Sequence, residues 1–308
     1  MKTGENGRSP SYLPSAKLLF YLEEAEDLIA SAAKATLFPR SLGEVISEMA
    51  EDKKENWLRE LVARGHGSPL EHSIYVFEVV CSRVCSHQLV RHRHASYSQL
   101  SQRYSDKYLR SMAEKAAKTL SRECHSDELY QCYAKALRDL AEEASFDALL
   151  ELVAESFIIP PKVIESRETG FLKSLLYSTA SYYEALANRV SPEDARFLLP
   201  QAVKTRLVVS MNARELLEVF IPLRTCARAQ WEIRTVAWQM LGQLVEKHPS
   251  IFKYAGPRCI LSENRARTSP CTLEDFSSGK CSFTIERCPE GVPRNRVHEC
   301  IYSSRLFK

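Results

Sequence analysis

Thirteen consecutive residues, Arg91-His92-Arg93-His94-Ala95-Ser96-Tyr97-Ser98-Gln99-Leu100-Ser101-Gln102-Arg103, hold three arginines, two histidines and three serines. Guanidinium forks bind phosphates and planar carbonyls in bidentate geometry. Hydroxyls and amides can complete a phosphate or nucleobase site. The chemistry this density suits is an anion site for a phosphorylated ligand. The same composition fits a solvated basic turn equally well. A second cluster is Gly65-His66-Gly67-Ser68-Pro69-Leu70-Glu71-His72. Its two histidines and one carboxylate lack the spacing of a helical zinc site, and a turn that caps the next strand is the plainer reading. A third set is Arg196, Asn212, Arg214, Arg224 and Arg228. Arg224 and Arg228 stand at i, i+4, which would place them on one helix face. Their plainer reading is surface charge, and that of Asn212 is a helix N-cap.

Ten cysteines are present, five of them within the last fifty residues. None forms a C-x-x-C pair, so a reduced, loosely packed tail and no metal site are expected. Cys81 and Cys85 lie in or beside an apolar run and read as core. Cys226, between Arg224 and Arg228, is the one mild candidate for a reactive thiol.

The elements that must position these groups follow from periodicity and punctuation. Residues 41–65 read as a helix, with Ser41 and Glu44 as a capping box and Gly65 as its stop. Val45, Ile46, Met49, Trp57, Leu58, Leu61 and Val62 supply its stripe. The β-branched and aromatic run 72–81 reads as a strand buried on much of both faces. Residues 86–93 read as a short helix or turn that puts Gln88 and Arg91 on one face, and 95–105 as an ordered polar loop. Helical spacing returns over 126–157 and again over 171–187. Ser191-Pro192 is a strong helix start. A strand over 206–211 precedes a helix capped by Asn212, with Glu215 three residues on and Pro222 as a break or kink. A last amphipathic helix spans about 226–247. Beyond Tyr254 the pattern dissolves.

The chain has 308 residues, 44% apolar and 26% charged, with a net charge of +3. That balance is ordinary for a globular protein and too small for a typical nucleic-acid binder. Residues 1–17 read as a frayed terminus. The apolar stretch 18–22 runs into Glu23, Glu24, Glu26 and Asp27, so no signal-peptide core forms. Nothing reaches the roughly 18 apolar residues of a membrane span. A cytoplasmic location is expected.

Arg91-His92-Arg93 followed after seven residues by Ser101 resembles the signature of the flavin-dependent thymidylate synthases. Six further blocks fit that family in order. They are 65–72, Phe157-Ile158-Ile159-Pro160-Pro161, Ala195-Arg196-Phe197-Leu198-Leu199-Pro200, Met211-Asn212-Ala213-Arg214-Glu215, Leu223-Arg224 and Ala229-Gln230-Trp231-Glu232-Ile233-Arg234. The likeness runs from roughly residue 32 to 252. It implies methylation of dUMP to dTMP, with methylenetetrahydrofolate as carbon donor and FAD, reduced by NADPH, as hydride carrier. It also implies a homotetramer with active sites between subunits and no nucleophilic cysteine.

The resemblance implies residue roles as well. Ser68, Glu71, Arg91, His92, Arg93, Gln99, Asn212, Arg214 and Glu218 fall at FAD positions. Gln88, Arg91, Gln99, Ser101, Gln102, Arg103, Arg196 and Arg224 fall at dUMP positions. His66, Ser101 and Arg224 are the candidate catalytic residues, with Arg224 suited to favour an ionised uracil ring. One departure stands out: 212–224 is one residue longer than the family pattern, which unsettles Glu218. The expected fold is α+β, a single domain over 18–254 with a mainly antiparallel sheet and flanking helices. It carries a helical insertion at 106–156 and an irregular, cysteine-containing extension at 255–308. The rival readings are a nucleotide- or RNA-binding module built on the arginine-rich loop, and a flavin-binding relative without turnover.

Overall fold

The alternation of buried and half-buried residues that a sheet requires begins earlier than the sequence pattern suggests. In the computed structural model, which describes residues 10–37, 39, 41–47, 51–285 and 288–305, the first strand is β1, Ser15–Tyr21. The start read as a frayed terminus therefore ends three residues into a strand. β2 is Tyr75–Ser82, β3 is Ala95–Gln99 and β4 is Lys204–Met211. They form one antiparallel sheet in the order β1-β2-β4-β3. Tyr75, Phe77, Val79 and Cys81 are fully buried along one face of β2, while Val76, Glu78 and Val80 on the other are only half-buried, so the strand is not buried on both faces as expected.

β1 is an edge strand, and an unpaired edge invites aggregation. Here two glutamines of the helix Trp231–Lys247 occupy its backbone. Gln239 Oε1 accepts from Ala16 N at 2.7 Å, and Gln243 Oε1 accepts from Leu18 N at 2.7 Å. Gln243 Nε2 also donates to the Ala16 carbonyl at 3.0 Å.

The chain divides into two compact units. One comprises the segment ending at Pro14, Val80–His87 and Gln99–Leu207. Its core is helical, built by Lys107–Thr119, Leu129–Glu143, Phe146–Val153 and Thr169–Ala187. The segment 106–156 is thus helical, and its helices pack on one another and share a core with Thr169–Ala187. Leu137, Leu149 and Leu176 are fully buried there, and Arg138 clasps Glu184 through bonds of 2.7 and 2.8 Å. Ser191 caps its short helix from Asp194 N at 3.2 Å, as expected.

The other unit comprises Ser15–Val79, Gln88–Ser98 and the chain from Val208 on. The helix expected over 41–65 is two, Leu42–Ser47 and Glu51–Arg64. The capping box is present: Ser41 N donates to Glu44 Oε2 at 3.1 Å, and Glu44 N to Ser41 Oγ at 3.4 Å. Gly65 ends the second helix at φ +71°, a left-handed value that glycine adopts without steric cost. Val45, Leu58 and Leu61 are buried, Ile46 is exposed, and Met49 lies outside the described residues. The helix expected from residue 226 starts only at Trp231, because Gln230 caps it by accepting from Glu232 N and Ile233 N.

The cysteine-bearing tail is present, but it is not patternless. It folds into the helices Arg258–Arg265, Leu273–Ser277 and Val297–Arg305 around Ile260, Phe276, Val297 and Ile301. Thr272 and Asp275 form a reciprocal capping box. Glu263 is fully buried and accepts from Thr284 N at 2.7 Å and Ile285 N at 2.8 Å. Helices this short show little period, so the sequence pattern does not reveal them. The expectation of reduced thiols is also corrected: Cys124–Cys132 and Cys271–Cys281 are disulfides, with Cα atoms 5.6 and 6.5 Å apart, within bridging range.

Lys204 is buried on β4, where its Nζ donates to the Ala154 carbonyl. Burial lowers its ammonium to about 8, against roughly 10.4 in an unfolded chain. Between those values the unfolded state holds a proton that the folded state has released, so stability rises with pH across that window. Denaturant titrations of the wild type beside Lys204→Met should show the wild type gaining on the order of 2–3 kcal/mol relative to the variant as pH crosses it. A difference that does not change with pH would mean that Lys204 stays charged.

Candidate active site

The signature arginines and histidine sit just past the helix Arg83–Leu89, whose end leaves Arg91 in a turn rather than on the Gln88 face. Arg91 and Arg93 are exposed, and His92 between them is 5% exposed. Both imidazole nitrogens of His92 are engaged. Arg224 Nε, which can only donate, lies 3.0 Å from His92 Nε2. Nε2 is therefore an acceptor, and Nδ1 carries the hydrogen that points to Glu215 Oε1 at 3.0 Å. Phe220 closes the ring's edge at 5.0 Å between centroids. Arg224 also donates from Nη2 to the Gln88 carbonyl at 3.2 Å. The Tyr97 hydroxyl lies 2.8 Å from the carbonyls of both Leu89 and His92, and burial holds it well above the ordinary phenol range.

Glu215 is the residue that sequence reading misplaced. Asn212 does cap the helix, with Oδ1 accepting from Glu215 N at 2.8 Å. Ser73 Oγ supplies a second cap, accepting from Ala213 N at 2.9 Å. The Glu215 carboxylate, however, is 4% exposed and turned to His92. The signal lay in the carboxylate's i, i+3 position after the cap, which suits a capping box equally well.

Residues Glu215–Phe220 form a π-helix, in which Ile221 N bonds to the Leu216 carbonyl, a turn able to take in the extra residue that the family resemblance implied. A π-turn takes in one residue without breaking the helix. The consequence is directional. Nine α-helical steps from Glu215 to Arg224 make about 2.5 turns and would put the two on opposite faces. With one residue absorbed, about 2.2 turns remain, and both side chains meet the same imidazole.

Glu218 stays within the cluster for the same reason. Its Oε2 accepts from Arg214 Nε at 3.1 Å, and Arg214 Nη1 bonds to Glu71 Oε1. These two carboxylates raise the Arg214 guanidinium, with Glu71 the larger influence. Arg265 Nη2, from the tail, holds Glu218 Oε1 at 2.6 Å. No sequence signal singled out Arg265. Gly67 lies beneath this group. A Cβ at Gly67 would stand 2.6 Å from Arg214 Nε and 3.0 Å from Glu218 Oε2. His66 and Ser68 flank it and are exposed.

The other unit holds a separate cluster. Gln102 and Arg196 line one cavity of ≈310 Å³ with Arg83, His87, Phe197 and Gln201. Gln102 Nε2 is buried there with no hydrogen-bond partner in the protein. Burial and the neighbouring Arg196 charge push the Arg83 guanidinium down. Two guanidiniums with an unpaired amide N–H suit an anion with several acceptor oxygens. Arg83 and His87 escaped sequence reading because they precede the signature on the helix side. Gln99, which sits at the end of β3 and not in a loop, donates to Ser86 Oγ at 3.0 Å and Thr205 Oγ1 at 3.1 Å. Ser101 and Arg103 do not line this cavity. Arg103 faces Glu193 at 3.8 Å and packs on Tyr104.

Arg228 is not one helical turn beyond Arg224, because the helix Ile221–Arg224 ends there and Arg228 lies in the following turn. Cys226 is half-buried, and burial raises its thiol, which removes it as a ready nucleophile.

Comparison with known proteins identifies the family. The family described as thymidylate synthase complementing protein matches residues 17–250. The flavin-dependent thymidylate synthase of Aeropyrum pernix is 43% identical over 299 residues, covering 93% of this chain and 92% of that protein. That of Saccharolobus solfataricus is 39% identical over 295 residues, covering 94% and 96%. Among solved structures, the flavin-dependent thymidylate synthase of Helicobacter pylori complexed with FAD and dUMP matches with a TM-score of 0.55 and 23% identity, over 79% of this chain and 99% of that one. A UMP/dUMP methylase from Streptomyces cacaoi bound with 5-Br dUMP gives 0.55 and 20%, over 78% and 93%. These two share the fold; the first two relatives align with most of the chain. On that identity and coverage, the chain belongs to the flavin-dependent thymidylate synthases.

Proposed function

We propose that the chain methylates dUMP to dTMP, taking the carbon from methylenetetrahydrofolate and releasing tetrahydrofolate. FAD, reduced by NADPH, supplies the hydride when bound. The observation that carries this reading is the fixing of Arg224 by His92, itself fixed by Glu215. A guanidinium held in one place favours a developing anion at no reorganisation cost. In this reading Arg224 favours the ionised uracil ring. Glu71, Arg214 and Glu218 with Ser68, Arg91, Arg93 and Asn212 hold the flavin, and the close approach at Gly67 leaves a cradle that a side chain would fill. Gln102 and Arg196, joined by Arg83 and His87, take the dUMP phosphate, and the unpaired Gln102 amide supports this. Ser101, Arg103, Gln88 and Gln99 complete the nucleotide contacts, and His66 stands beside the flavin.

The synthase domain is proposed to span 18–254, with 106–156 as an insertion and 255–308 as an extension. The active unit is a homotetramer with sites between subunits. Tyr104 and Phe197, 82% and 84% exposed beside the nucleotide residues, support a partner surface there. No helix among the described residues is long and apolar enough to cross a membrane, and the cytoplasm is the proposed compartment. The nucleic-acid reading has no further support, because His92 of the loop is buried and committed to Glu215 and Arg224.

Purified protein should be yellow and should release dTMP from dUMP, methylenetetrahydrofolate and NADPH. A flavin-free protein with no dTMP product sinks the proposal, and a yellow one without turnover leaves only flavin binding. Arg224→Ala should lower turnover about 10²–10³-fold while FAD is retained; unchanged turnover removes the assigned role. Gly67→Ala should weaken flavin retention by roughly tenfold, about 1.4 kcal/mol, read as flavin content after gel filtration. Retention equal to wild type means that the flavin does not pass over Gly67. Light scattering should give the mass of four chains, and a monomer refutes the shared site.

A further inference from the structure

Four cysteines that no sequence motif connects come together around one cavity. Cys226 lies in the turn after the helix Ile221–Arg224, Cys259 in the helix Arg258–Arg265, Cys288 in the turn closed by Gly291, and Cys300 in the helix Val297–Arg305. All four line a cavity of ≈190 Å³, and all four are free thiols. Cys271 and Cys281, in the same tail, are instead paired with each other. We propose that Cys226, Cys259, Cys288 and Cys300 ligate one [4Fe–4S] cluster that staples the C-terminal tail to the segment following Arg224.

Three features of the cavity point to a thiolate-bound metal centre. First, a backbone N–H reaches one of the sulfurs: Val292 N donates to Cys288 Sγ at 3.3 Å. Hydrogen bonds to the sulfurs are among the means by which proteins hold and tune such clusters. The φ of +76° at Gly291 makes the turn that brings Val292 N back to Cys288.

Second, the wall is cationic. Arg224, Arg228 and Arg258 line it against a single carboxylate, Glu290. Arg234 is 7% exposed; its Nη1 donates to the Ala227 and Ala229 carbonyls, while its Nε has no hydrogen-bond partner. A cluster with four thiolates is anionic overall, and a buried cation without a counter-charge is costly. The proposed centre supplies that counter-charge.

Third, the ring of sulfurs is too wide for one ion. Tetrahedral zinc with thiolates at about 2.3 Å requires sulfurs about 3.8 Å apart. No three of these sulfurs lie mutually within 4.8 Å. A polynuclear core standing between the ligands fits the wider ring. The four thiols release their protons on ligation, and a core assembled from two ferrous ions, two ferric ions and four sulfides forms with no further oxidant.

The test is iron and acid-labile sulfide on the full-length chain, purified without oxygen and then reconstituted with equal amounts of ferrous and ferric iron, sulfide and a thiol, with Mössbauer spectra of the same sample. The expected result is about four iron and four sulfide per chain with the spectrum of a cubane cluster. Cys288→Ser and Cys300→Ser should each lose most of the iron while flavin content and circular dichroism persist. Cys271→Ser, which removes a disulfide outside the ring, should keep it. One zinc per chain without sulfide, no metal after reconstitution, or iron unchanged in both ring variants would each overturn the proposal. If the ring variants do not fold, the wild-type iron-to-sulfide ratio and Mössbauer spectrum decide it alone. The dTMP assay is independent of this outcome, so failure of one reading does not mimic failure of the other.

Discussion

A buried imidazole must satisfy two nitrogens, and His92 does so with one carboxylate and one guanidinium. Because a guanidinium cannot accept, the proton on the ring is confined to the side of Glu215. Losing either partner would leave a buried polar atom unpaired, which costs more than the bond itself contributes. This constraint couples the arginine-rich turn to the helix after β4. It also explains why the loop cannot be a freely solvated basic patch. Its two arginines point outward because the histidine between them is anchored inward.

The helix after β4 bears the cost of this arrangement. It contains a π-turn, Glu215–Phe220, followed at once by a short helix with Pro222 in its first turn. The widened turn brings Glu215 and Arg224 to one ring while leaving Arg214 and Glu218 as i, i+4 partners. Its N-terminus is capped twice, by Asn212 and by Ser73, which limits fraying where the first charged side chains project. An irregular helix is thus held firmly at both ends, and the irregular middle sets the directions.

The tail belongs to the same economy of contacts. Arg265 closes on Glu218, and the cavity that gathers four cysteines also includes Arg224. The extension therefore reaches both charged clusters of its unit. The Aeropyrum pernix relative aligns with 93% of this chain, too much to leave the tail out. The Helicobacter pylori structure covers only 79% of it. The proposed cluster gives a physical reason for retaining such a segment: short helices with little apolar surface gain a cross-link that burial alone does not supply.

What the sequence determined by itself was local. Turn chemistry at Gly65, caps at Ser41, Ser191 and Asn212, the apolar face of β2 and the order of the seven blocks were all legible, because each depends on residues within a few positions of one another. The family followed from that order. What only the tertiary structure decided was long-range. The partner of Glu215 is 123 residues away in the chain, Arg265 lies 47 residues beyond Glu218, and the four ring cysteines come from separate elements. A capping-box pattern cannot reveal that its carboxylate is pulled toward a distant imidazole. Nor can an extra residue announce that it will be taken up as a π-turn rather than a kink. Those outcomes depend on which buried polar groups need partners, and that need exists only once the chain has folded.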